Sequence, residues 1–196
     1  MQPDIQAAKV LLRKQIRGAL KDISPAVRDV ESIGLCERLE PQLRSARTIL
    51  FFAPLPDEPD VWPLLEKFLA AGKICALPCF DPASQNYFAR QIKNPSTDVA
   101  AGKFGVREPA PSCVEIPLGK FDLVLVPGVA FDWNGNRLGR GKGCYDRLLV
   151  KISGIKCGVG YDFQLLEKIP AEQHDAKVDF ILTPERCLKN AGGTTA

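Results

Sequence analysis

The chain has 196 residues, of which 45% are hydrophobic and 25% charged, a size and balance that suit one soluble globular domain with a sizeable core. Its 26 Lys and Arg against 23 Asp and Glu leave a net charge of +3. That charge suits an anionic small ligand but is too weak and too scattered for a nucleic-acid groove. No run reaches the length of a membrane span and residues 1–9 lack the apolar core of a signal peptide, so the expected compartment is the cytoplasm. The seven cysteines are odd in number and irregular in spacing, which argues against a disulfide framework or a zinc site. Cys75, Cys79 and Cys157 lie in apolar runs and read as core.

Asp4 is placed to cap a first helix whose face carries Ile5, Ala8, Leu12, Ile16, Ala19 and Leu20. It ends before Ser24-Pro25, the cap and first residue of a second helix. Lys9, Arg13 and Arg17 share one cationic stripe on the first helix. The rhythm then changes to alternating strands and helices. Residues 48–53 read as a buried strand, 62–71 as a helix stopped by Gly72, and 73–77 and 87–90 as further strands. Residues 121–126 (FDLVLV) form the clearest strand, followed by a helix at 145–150 and strands at 156–159 and 178–182. Strands apolar throughout and separated by helices predict an α/β fold: a three-layer, Rossmann-like open sheet, mostly parallel, with helices on both faces. A single domain is expected over 1–189, with a disordered tail at 190–196. Ligands in such sheets bind beyond the carboxyl ends of the strands, which singles out the loop after Val126.

In that loop Gly139, Gly141 and Gly143 alternate with Arg140 and Lys142, ahead of Tyr145 and Asp146. Glycines let consecutive backbone N–H groups converge on one anion without obstruction by side chains. Arg140 offers a planar fork, Lys142 a point charge, and Asp146 a carboxylate for magnesium, directly or through water. On residues alone two readings stand: a phosphate cradle, or a glycine hairpin with solvated cations. The Gly-Lys-Ser/Thr ending of a P-loop is missing.

The run PGVAFDWNGNRLGRGKGCYDRLL (127–149) resembles the signature of the 5-formyltetrahydrofolate cyclo-ligase family, also called methenyltetrahydrofolate synthetases. Lys9-Val10-Leu11-Leu12-Arg13, Asp57-Glu58-Pro59-Asp60, Gly72-Lys73, Arg107-Glu108-Pro109, and His174-Asp175 with Asp179 are similar to further family features in the same order. The resemblance implies an ATP- and magnesium-dependent cyclisation of 5-formyltetrahydrofolate to the 5,10-methenyl form. It implies ATP contacts from Lys9, Arg13, Arg137, Leu138, Gly139, Arg140, Gly141, Lys142, Gly143, Cys144 and Tyr145. By the same likeness Glu58 hydrogen-bonds the pterin, Arg140–Cys144 lie near the folate, and Arg140, Lys142 and Tyr145 serve catalysis. Asp146 and Asp179 are then the magnesium carboxylates. The chain departs from the family pattern at Cys144, where a second tyrosine is usual, and at Val61, where a threonine is usual.

His174 is the only histidine, too few for a metal phosphohydrolase, and no Gly-x-Ser-x-Gly elbow supports a serine hydrolase. A non-catalytic module binding a nucleotide or a reduced folate is the alternative reading, and a kinase for another small molecule a third. The partners expected are small molecules only, with no nucleic acid or membrane, and the chain is expected to be a monomer.

Overall fold

The computed structural model describes residues 4–81, 86–102 and 106–189; the tail at 190–196 lies outside them. Asp4 accepts from Gln6 N at 3.0 Å and opens α1 (Ile5–Asp22). Ser24 accepts from Val27 N at 3.3 Å and opens α2 (Pro25–Arg44), with Pro25 at the first position, where a missing N–H costs nothing. There follow β1 (Thr48–Leu50), α3 (Trp62–Ala70), β2 (Ile74–Asp81), β3 (Asn86–Ile92), the one-turn α4 (Pro95–Asp98), β4 (Val99–Ala101), β5 (Arg107–Pro109) and β6 (Glu115–Ile116). The second half holds β7 (Leu123–Pro127), β8 (Ala130–Asp132), β9 (Arg137–Leu138), α5 (Cys144–Leu149), β10 (Ile155–Val159), β11 (Leu165–Leu166), β12 (Phe180–Leu182) and β13 (Cys187–Lys189).

Eight strands form one sheet in the order β13-β12-β10-β7-β1-β2-β3-β6. From β12 to β2 every pairing is parallel, and antiparallel strands close both edges. Alternate residues of each central strand point to opposite faces, and both faces are covered, so β7 is buried at every position. Ile49, Phe51, Leu123 and Leu125 pack with Leu35, Leu39 and Leu43 of α2 and with Leu65 of α3. Leu50, Val124 and Val126 pack instead with Leu148 and Leu149 of α5. Each such side chain contributes roughly 1.5–3 kcal/mol by leaving water. Helix α1 lies apart from both layers, its Ile16 against Val129, Ala130 and Leu138.

The expected helices and strands are found with small changes of boundary. Inside the stretch that reads as loop, however, β8 and β9 pair as a hairpin around Asp132. The carboxylate of Asp132 is fully buried; it accepts from Asn134 N, Asn136 N, Asn136 Nδ2 and Ile169 N at 2.8–3.1 Å. Trp133, on the tip, is 55% exposed. The six described cysteines are free. No helix among the described residues is long and apolar enough to cross a membrane.

Two carboxylates staple the amino-terminal ends of the parallel strands. Asp122 Oδ2 accepts from Arg47 N at 2.7 Å and Thr48 N at 2.9 Å, and Asp179 Oδ2 accepts from Lys156 N at 2.7 Å. Close by, Gly154 lies so near β7 that a Cβ there would stand 1.9 Å from the Phe121 carbonyl oxygen. Gly154→Ala is therefore expected to lower stability by about 2 kcal/mol or more. Gly18→Ala, on an exposed helical turn with nothing within 4 Å of the new methyl, is expected to raise it by about 0.5–1 kcal/mol. Urea midpoints measure both, and equal effects would contradict the packing described.

Candidate active site

A cleft of about 1220 Å³ opens at the carboxyl ends of the parallel strands, next to Pro127 and Gly128 at the end of β7. This is larger than the roughly 300–1,000 Å³ of a typical single-ligand pocket. Its lining includes Arg13 of α1 and the glycine-rich loop 139–143. It also includes the apolar side chains of Phe52, Leu55, Phe80, Tyr87 and Val106; the Phe80 and Tyr87 rings lie 5.0 Å apart. The cleft thus brings cationic groups together with aromatic side chains suited to a flat ring.

The loop is tied at two points. Arg13 Nε donates to the Gly139 carbonyl at 2.8 Å, and its guanidinium lies where a Cβ on Gly141 would meet it at 3.4 Å. Gly141 and Gly143 have φ of 98° and 62°, left-handed values that other residues adopt at a cost. Between them and Arg13, Arg140 reaches the acidic turn. It donates to Asp57 Oδ1 and Oδ2 at 2.5 and 3.0 Å and, from Nε and Nη2, to Glu58 Oε1 at 3.2 and 2.9 Å. The second Glu58 oxygen accepts from Leu55 N at 3.1 Å. Burial pushes the Glu58 carboxyl above its ordinary range, against the pull of Arg140 and of the Leu55 N–H.

Arg137 lies behind the loop rather than on it. Its side chain is 3% exposed, and Nη2 donates to Asp146 Oδ1 at 2.9 Å. Its buried Nε has no hydrogen-bond partner among the described residues. A Cβ on Gly139 would stand 2.7 Å from Arg137 Nη1, so this glycine makes room for the guanidinium. Leu138 is 1% exposed with its side chain against α1, and what it offers the cleft is backbone. Lys142 is exposed on the loop, and Tyr145 and Asp146 line the cleft from the first turn of α5. The Cys144 side chain lies outside what is described.

Lys9 is a buried cation, only 5% exposed, that donates to Glu172 Oε2 at 2.8 Å and to Asp175 Oδ2 at 2.6 Å. Asp175 Oδ2 also accepts from Glu172 N at 2.7 Å. These partners are more than 160 residues away along the chain. The sequence marks His174-Asp175 through the family resemblance, but nothing in it singles out Glu172. Glu172, His174 and Asp175 bring their ligating atoms within 4.8 Å of one another, yet the Lys9 ammonium already sits on both carboxylates. Glu172 and Asp175 are thus already engaged in an ion pair with Lys9.

For magnesium, Asp146 fits: it is a partly exposed carboxylate in the cleft, oriented by Arg137 and by Ala176 N at 3.4 Å. One carboxylate beside a nucleotide's phosphates and water satisfies this ion. Asp179 does not join it. It precedes β12 at the amino-terminal end of the sheet, holds Lys156 N, and is absent from the cleft lining. Asp179 is thus corrected from a metal ligand to a structural staple, the counterpart of Asp122.

The sequence pattern of 5-formyltetrahydrofolate cyclo-ligases matches residues 5–184. The chain belongs to the 5-formyltetrahydrofolate cyclo-ligase family. It is 35% identical over 183 residues to the 5-formyltetrahydrofolate cyclo-ligase of Mycolicibacterium smegmatis, covering 89% of this chain and 94% of that one. It is 33% identical over 150 residues to that of Escherichia coli K12, covering 74% and 82%. The fold superposes on the 5,10-methenyltetrahydrofolate synthetase of Aquifex aeolicus with a TM-score of 0.85 and 30% identity, covering 96% of this chain and 95% of that one.

The Lys9 pair generates a test in pH. Burial alone would raise the Asp175 pKa, but the hydrogen bonds from Lys9 and Glu172 N outweigh it and leave it below its ordinary 3.8. Burial alone would lower that of Lys9, but Asp175 and Glu172 hold it above its ordinary 10.5. The Asp175 contribution is present above its unfolded pKa and lost as pH falls through the lower folded value. The Lys9 contribution is present below its unfolded pKa and lost as pH rises through the higher folded value. Lys9→Met is expected to cost about 2 kcal/mol near neutrality, with the gap from wild type shrinking at both pH extremes. A gap independent of pH in urea titrations would contradict the pair.

Proposed function

We propose that the chain is an ATP- and magnesium-dependent 5-formyltetrahydrofolate cyclo-ligase, which converts 5-formyltetrahydrofolate and ATP into 5,10-methenyltetrahydrofolate, ADP and phosphate. The observation that carries this reading is the cleft itself. Arg13, Arg140 and the glycine loop share with Phe52, Phe80 and Tyr87 a space large enough for two substrates. The nucleotide phosphates belong against the loop and the pterin against Phe52, Phe80 and Tyr87, with Glu58 accepting from its ring N–H groups.

In this arrangement the formyl oxygen attacks the γ-phosphorus and the bond to ADP breaks. The neighbouring folate nitrogen then attacks the activated formyl carbon, losing its proton, and phosphate departs with the former formyl oxygen. Phosphoryl transfer asks little covalent help of a protein but much positive charge around the moving group. Arg140 and Lys142 supply that charge, Tyr145 flanks them, and the loop amides hold the phosphate oxygens in line. Arg13 fixes the loop through the Gly139 carbonyl. Magnesium, when bound with the nucleotide, neutralises phosphate charge, and Asp146 is the carboxylate that would hold it. Arg137 acts through Asp146, and Lys9 through the segment 172–175 that closes the cleft beside the loop.

The test is growth of methenyl-folate absorbance from 5-formyltetrahydrofolate with Mg-ATP. Wild type is expected to turn over. Arg140→Ala and Lys142→Ala are each expected to lower kcat/KM by about 100-fold or more. Folded wild-type protein that yields no methenyl product at any magnesium concentration would contradict the assignment.

A further inference from the structure

Arg140 bridges the glycine loop to the acidic turn in a way that leaves it little capacity for a phosphate. Asp57 takes the outward fork with both oxygens, at 3.0 and 2.5 Å, which is the two-point geometry in which guanidinium binds a phosphate. Glu58 takes the Nε side with one oxygen. Two carboxylates on one guanidinium leave the trio with a net negative charge, and a nucleotide phosphate cannot engage the fork until one of them withdraws.

The two carboxylates differ in how easily they leave. The Glu58 side chain is 10% exposed and is also held by Leu55 N; withdrawing it would strand a buried charge. The Asp57 side chain is 34% exposed and bonds Arg140 through both oxygens, so water replaces its partner at small cost. Gly139, Gly141 and Gly143 flank the arginine, two of them with left-handed φ, so the loop can re-aim the guanidinium without rebuilding its neighbours.

We propose that Asp57 is a positioning residue that occupies the anion-binding fork of Arg140 in the ligand-free protein and exchanges with a substrate phosphate. Asp57 acts as a latch: it holds the loop ordered across the cleft and competes with the nucleotide, while Glu58 keeps Arg140 in place through the exchange. This rests on the cyclo-ligase reading for the identity of the anion, but the competition itself is a property of the three side chains.

Asp57→Asn removes the charge and keeps the shape. Without ligand, tryptic cleavage after Arg140 and Lys142 is expected to be about fivefold faster than in wild type. Calorimetric Kd for Mg-ATP, and for inorganic tripolyphosphate as a bare anion, is expected to fall by about the same factor. The gain is expected to vanish in Arg140→Ala. A side chain serving structure alone yields no gain in anion affinity, so unchanged or weaker binding of both anions in Asp57→Asn overturns the latch, as does unchanged cleavage. Tighter tripolyphosphate without binding of Mg-ATP to either protein supports the latch and overturns instead the ATP-dependent reading of the cleft.

Discussion

Charge balance at the cleft is the constraint on which the site depends. Lys9, Arg13, Arg137 and Arg140 converge on one end of the sheet, and like charges this close repel unless each is met. The fold meets each one: Lys9 with Asp175 and Glu172, Arg13 with the Gly139 carbonyl, Arg137 with Asp146, Arg140 with Asp57 and Glu58. These partners come from four separate stretches of chain, so the cationic cluster also ties α1, the acidic turn, the glycine loop and the segment before β12 to one another.

The sheet supplies the rigid base for that cluster. Five parallel strands end at the same edge, and their apolar residues are locked between α2 and α3 on one side and α5 on the other. Asp122 and Asp179 satisfy backbone N–H groups at the opposite edge, where no ligand competes for them. Carboxylates at the amino-terminal ends of the strands hold backbone N–H groups, whereas Asp57, Glu58, Asp146, Glu172 and Asp175 at the carboxyl ends hold cations.

What was legible in the sequence follows the range of the interactions. The Asp4 cap and the spacing of Ile16 and Leu20 are local, and they mark α1 directly. Residues 123–127 are apolar on both faces and announce a central parallel strand. The alternation of glycine with Arg140 and Lys142 marked the loop, and the long match around it marked the family. Long-range pairings left no such trace. Nothing near Lys9 indicates that it is buried under residues 172 and 175, and nothing near Arg137 shows that its guanidinium turns inward to Asp146. Asp132 falls in the stretch that reads as loop: its hydrogen bonds from Asn134 and Asn136 are local, but its burial and the contact from Ile169 N are not. Asp179 misled for a related reason: its place in the sequence is near His174-Asp175, while its place in the fold is at the other end of the strands.

The central claim is that the loop 139–143, with Arg13 and Arg140, forms the phosphate seat, and that Asp146 faces the accompanying ion. A crystal structure with magnesium and a non-hydrolysable ATP analogue tests it most directly. The account predicts the terminal phosphate within hydrogen-bond reach of Arg140 and the loop amides, the ion on Asp146, and Asp57 turned out to water. A triphosphate seated elsewhere on the molecule, with Asp57 still on Arg140, would contradict it.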